Sequence, residues 1–225
     1  MSATASTHVA GQEGHTGRHH AHHFVSGAHE FSTSKLGVWL FLVTEILFFS
    51  GLFMAYAMYH YFHPETFKGA HKMLDMKMGA INTMVLIFSS LTMALSIRAA
   101  QLGKKGQTVG LLAVTFICAG IFLVVKYFEY SHKFHLGLLP GKFYFYDGLT
   151  EFTNPHIFFG IYFCMTGLHG IHVVLGMIAI LWVMVRAAKG EFGPDYFTPI
   201  EGVGLYWHLV DLIWIYLFPL LYLVS

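Results

Sequence analysis

The sequence predicts an all-α fold, a polytopic membrane protein built as a bundle of about five transmembrane helices. Three observations predict it. Hydrophobic residues fill 56% of the 225 positions and charged ones only 11%, against roughly 25% charged in a soluble domain. Apolar runs long enough to cross a hydrocarbon core recur near 36–61, 79–100, 108–130, 156–186 and 203–224. The segments between them carry the Pro, Gly and charge clusters that end helices.

Residues 1–34 precede the first run. Their opening, MSATASTHVAGQEGHTGRHHAHHFVSGAHE, is polar, Gly-rich and His-rich, with too little apolar surface to order itself. It is expected to be a disordered tail rather than a signal peptide, which needs a short apolar core. His15, His19, His20, His22 and His23 define no fixed metal geometry there. Residues 35–225 form the expected five-helix domain. HPETFKGAHKMLDMK follows the first span and QLGKKG the second. HKFHLGLLPGKFYFYDGLTEFTNP follows the third, and KGEFGPDYFTPIEG precedes the last. The fourth run is long enough to tilt or to project beyond the bilayer.

Some functions are excluded at this level. A net charge of +1 gives no basic surface for nucleic acid. Cys118 and Cys164 lie in apolar runs without a CxxC neighbour, which reads as two buried thiols rather than a disulfide or zinc site. No dinucleotide, phosphate-loop or nucleophile-elbow motif is present. Lys and Arg supply the orientation. Arg18, Lys35, Arg98, Lys104, Lys105, Arg186 and Lys189 fall on one side, and Lys68, Lys72, Lys77, Lys133 and Lys142 on the other. The first set includes the short QLGKKG turn, so the N-terminus is expected in the cytoplasm and the C-terminus outside.

The informative residues are polar groups at membrane depth, which are costly and face protein or water rather than lipid. Glu45 lies roughly 15 Å from the cytoplasmic end. His208 and Asp211 are three apart on one helix face, roughly 9 and 14 Å deep on the same side. Together they read either as a proton-handling cluster or as an interhelical clasp, with His208 and Asp211 satisfying each other. His169 and His172, in TGLHGIHVVLG, also share a face. They suit haem ligation or packing against Gly167, Gly170 and Gly176, which would admit a neighbouring helix. Lys126 and Glu129 read as an ion pair at the outer interface, with Lys126 snorkelling outward. Ser and Thr residues of the second span read as helix-packing glue. Arg186 suits a lipid phosphate or simple orientation.

From about residue 35 onward the chain resembles subunit III of haem–copper respiratory oxidases. The resemblance is carried by LGVWLFLVTEILFFSGLF, INTMVLIFSSLTM, YFEY, TGLHGIHVVLG and GLYWHLVDLIWIYLF, in the order the family uses. It implies that Glu45 is the family's intramembrane carboxylate and supports proton uptake. It implies that Arg186 contacts lipid phosphate, and that His169, His172, His208 and Asp211 are structural polar positions. It implies no haem, copper or catalytic centre in this chain. Those belong to the partners, catalytic subunit I and subunit II, beside other oxidase subunits and bound phospholipid. The expected function is that of a non-catalytic subunit of a proton-pumping cytochrome c oxidase in a bacterial inner membrane, stabilising subunit I. The mitochondrial type has seven helices, and this chain begins at the equivalent of the third, as in short bacterial forms. Competing readings are a quinol-oxidase or nitric-oxide-reductase-associated homologue, a stand-alone haem protein using His169 or His172, and a proton channel built on Glu45.

Overall fold

The computed structural model describes residues 27–139, 156–194 and 196–223, with side chains from Ser32 onward. Those residues form six helices: α1 (Gly27–Phe62), α2 (Pro64–His71), α3 (Met76–Gln101), α4 (Lys105–His135), α5 (His156–Lys189) and α6 (Thr198–Tyr222). Five of them, all but α2, are long and apolar enough to cross a membrane. The bundle is therefore an all-α, multi-pass membrane protein. α1 begins at Gly27, inside the stretch assigned to the tail. The rest of that tail, with its histidines, lies outside the described residues, as does most of the α4–α5 connection with Lys142.

Helices α3, α4, α5 and α6 close a ring, each packing on the next, and α1 leans on the α5–α6 side. The core follows this plan. Leu86, Met93, Leu112, Phe122, Met165, Val173, Trp207 and Trp214 are fully buried between the four ring helices. α1 contributes Leu42, Phe49 and Tyr56 and leaves Trp39, Leu47 and Met54 exposed. An exposed apolar face is the expected surface of a helix that meets lipid or another membrane chain.

The ends of the helices follow from local chemistry. Gly103, Gly137 and Gly190 have φ of 68°, 74° and 81° just past α3, α4 and α5, the left-handed geometry of a glycine helix terminus. The side chain of Asp75 caps α3, accepting from the Lys77 and Met78 amides at 2.9 and 3.3 Å. Asp75→Ala is expected to lower stability by about 1 kcal/mol. Thermal unfolding in detergent checks this, and an unchanged midpoint would contradict it. The α1–α3 connection, where the Pro and charges of HPETFKGAHKMLDMK predict a loop, holds the short helix α2. Pro64 occupies the first turn, where its fixed φ suits a helix start. Phe67 and Ala70, three apart, are buried, and Phe67 packs edge-on against Tyr56 and Phe158.

Long-range contacts fix the alternation. Lys35 meets Glu201 at 3.0 Å at one end, while Tyr56 donates to the Leu220 carbonyl at 2.7 Å at the other. The turn between α3 and α4 therefore lies at the first end, and α2 at the second.

Candidate functional site

Glu45 and His172 sit near the midpoints of α1 and α5 and face each other. Glu45 Oε2 lies 2.8 Å from His172 Nε2. His172 Nδ1 lies 2.7 Å from the Leu168 carbonyl, which can only accept, so Nδ1 carries a hydrogen. One further proton is then shared across the Nε2–Oε2 contact, held either by the ring or by the carboxyl. Tyr206 donates to the His172 carbonyl at 3.1 Å, tying α6 to the same point. The Phe49 ring packs edge-on to the imidazole. The side chains of His172 and Glu45 remain 14% and 18% exposed, so the pair opens at the seam between the helices. Glu45 thus meets His172 of α5, a partner that the sequence spacing does not show.

His208 and Asp211 do share a face of α6 but do not satisfy each other. His208 Nδ1 bonds the Ser90 hydroxyl of α3 at 2.7 Å. Trp207 Nε1 donates to Ser89 at 2.7 Å and Trp214 Nε1 to Thr83 at 3.1 Å, which completes a polar seam from α6 to α3. Asp211, Asn82 and His169 are buried; the Ser90 hydroxyl lies near Asp211, while the polar side-chain atoms of Asn82 and His169 make no hydrogen bond to protein. The His169 ring lies instead between Phe122 and Trp214, with centroids at 5.5 and 5.3 Å. Ser90→Ala and His208→Ala are each expected to cost about 0.6–1.7 kcal/mol. The double variant should cost no more than either alone, because both remove one bond. Unfolding midpoints check this, and full additivity would contradict the clasp.

Of the three glycines near His169, only Gly176 admits a close neighbour. A Cβ there would lie 2.8 Å from Trp207 ring atoms, whereas one at Gly170 meets nothing within 4 Å. Gly167 has only the Tyr130 hydroxyl at 3.9 Å.

At the α2 end, Lys126 and Glu129 form the expected pair at 2.8 Å, but inside the bundle. Glu129 also takes Lys133 at 2.7 Å and the Tyr162 hydroxyl at 2.8 Å. Tyr222 donates to the same carboxylate and accepts from Lys126 at 2.7 Å. Lys126 does not snorkel, because Glu129, Tyr222 and the Trp214 face 4.5 Å away satisfy it where it stands. Lys133 is four residues after Glu129, a legible helix spacing, yet its charge suggested a loop. Tyr162 and Tyr222 carried no sequence signal.

Arg186 Nε pairs with Glu191 at 2.6 Å, and its guanidinium stacks over Trp182. Cys118 is buried but Cys164 faces outward, so only the first is an interior thiol. Among the described residues no three His, Cys, Asp or Glu side chains converge as metal ligands would. Both ring nitrogens of His172 are engaged, by Glu45 and the Leu168 carbonyl, and the His169 ring packs against the rings of Phe122 and Trp214.

Fold and site together define a class: a multi-pass helical membrane protein whose intramembrane polar groups join helices to one another. The family described as cytochrome c oxidase subunit III matches residues 13–225, and the chain belongs to that family of haem–copper oxidase subunits. It is 33% identical over 209 residues to cytochrome c oxidase subunit 3 of Synechocystis sp., covering 92% of this chain and 81% of that one. It is 30% identical over 193 residues to cytochrome bo(3) ubiquinol oxidase subunit 3 of Pseudomonas putida, covering 84% and 85%. It is also 28% identical over 196 residues to the heme-copper oxidase subunit I+III of Aeropyrum pernix, covering 84% of this chain and 22% of that one.

Proposed function

We propose that the chain is the non-catalytic subunit III of a proton-pumping terminal oxidase of the cytochrome c type. In this reading it packs on catalytic subunit I, beside subunit II, and stabilises it. Haems and copper belong to those partners. The family match over residues 13–225 carries this reading, and the joined name of the Aeropyrum relative supports contact with subunit I. The bundle would lie in a bacterial inner membrane, with the α3–α4 turn and its lysines facing the cytoplasm and the C-terminus outside. Arg186, at the cytoplasmic membrane edge, would take a lipid phosphate.

The Pseudomonas relative favours a second reading, a quinol oxidase. Oxygen consumption by the purified complex decides between them. Reduced cytochrome c should drive it, and activity with ubiquinol alone would select the alternative.

Glu45 supports proton uptake in this account, because it holds a shared proton at mid-membrane and opens at a seam. Glu45→Gln is expected to assemble and to keep its initial turnover within about twofold, since one position retains a hydrogen-bonding group. Its activity should then decline faster than that of the natural protein during sustained turnover. Steady-state and prolonged oxygen uptake check this. Complete initial loss in an assembled complex would contradict a supporting role.

A further inference from the structure

Among the described residues, the buried charges at the α2 end do not cancel. Two ammonium groups, Lys126 and Lys133, share one carboxylate, Glu129. All three are nearly inaccessible, with side chains 10%, 3% and 2% exposed. Two neutral phenols, Tyr162 and Tyr222, complete the cluster. Among charges beyond it, Asp75 acts on Lys133, but it is exposed, where solvent and salt screen it.

Behind this cluster the apolar core of the ring holds three buried polar side chains, His169, Asp211 and Asn82. Trp214 contacts both Lys126, 4.5 Å from its ring centroid, and the His169 ring, 5.3 Å away. Asp211 and Asn82 are buried in the same ring, and the amide of Asn82, like the His169 ring, has polar atoms unpartnered by protein. Titratable and amide groups strung across a membrane interior are the materials of a proton path. In a membrane that stores a proton gradient, such a path must be blocked. Fixed positive charge is a known way to exclude protons from a polar passage.

We infer that the Lys126–Glu129–Lys133 cluster is an electrostatic barrier, closing the buried polar groups of the ring to protons arriving from one end. The inference rests on the proposed placement in a proton-pumping membrane, but its test does not need the oxidase partner. The excess of one positive charge is the active element. Tyr162 and Tyr222 hold the three ionic side chains in place, and Trp214 contacts both the cluster and His169.

The test uses the full chain in sealed liposomes, with an entrapped pH dye and a potassium diffusion potential driving protons. The natural protein should pass protons no faster than empty liposomes. Lys133→Met removes the excess charge and should raise the flux at least severalfold, while Lys133→Arg should not. Combining Lys133→Met with Glu129→Gln restores a net single positive charge on Lys126 and should return the flux toward the natural value. A structural clasp predicts the reverse, with the double variant at least as leaky as the single one. A folded Lys133→Met protein with unchanged flux, or a double variant leakier than the single, would overturn the barrier. Should Lys133→Met fail to fold, Lys126→Met carries the same expectation and the same contrary result. Failure of the natural chain to associate with an oxidase would count against the proposed function and leave these fluxes interpretable.

Discussion

Glu129→Ala is expected to destabilise the folded chain by about 3–5 kcal/mol, the cost of leaving a buried charge without its partner. Two partners are stranded here. Among the described residues, Lys126 and Lys133 would be left with the hydroxyls of Tyr162 and Tyr222 and with ring faces in an otherwise apolar surrounding. The effect should also reach distant segments, because Tyr222 belongs to the cluster and its carbonyl bonds His71 of α2 at 3.1 Å. Glu129→Gln keeps an acceptor in place and should fall between alanine and the natural residue. The measurement is the thermal unfolding midpoint in detergent together with the yield of folded protein. Natural yield and midpoint for Glu129→Ala would show that the carboxylate is dispensable.

Gly176→Val is the second substitution expected to act strongly. Its Cβ would sit 2.8 Å from two ring atoms of Trp207, a side chain with no exposed surface. The indole cannot retreat without breaking its 2.7 Å bond to Ser89. Overpacking of this kind costs about 1–3 kcal/mol, and the lost hydrogen bond adds to it. Gly204 makes a useful contrast. There the close atom, at 2.6 Å, is the terminal methyl of Ile97, which can rotate away. Gly204→Ala should therefore be milder than Gly176→Val. Trp207→Leu should relieve the valine, so that the double variant costs less than the sum of the two changes. Equal unfolding midpoints for Gly176→Val and the natural chain would refute the close-packing account.

The helices were legible because the membrane imposes them. Long apolar runs broken by QLGKKG or KGEFGPDYF leave few alternatives once backbone groups must bond internally. The short α2 was not legible, since its amphipathic face is only Phe67 and Ala70 within a polar segment. Polar residues at depth were visible one by one, but their partners were not. Glu45 and His172 are 127 positions apart and Ser90 and His208 are 118 apart, so the pairing depends on how the helices rotate against each other. His208 and Asp211 misled because spacing along one helix reports a shared face, not a mutual bond. Lys126 misled for a related reason. A lysine near a span end reads as an interfacial anchor until Tyr162 and Tyr222, from two other helices, are seen to enclose it.

Family membership makes the central claim about partnership sharp. The most direct test is to purify the tagged chain from its native membrane in mild detergent and record its visible spectrum and subunit composition. A stoichiometric partner bearing haem and copper is expected, with no haem retained once this chain is separated from it. A chain that purifies alone, or that carries its own stoichiometric haem after separation, would contradict the account.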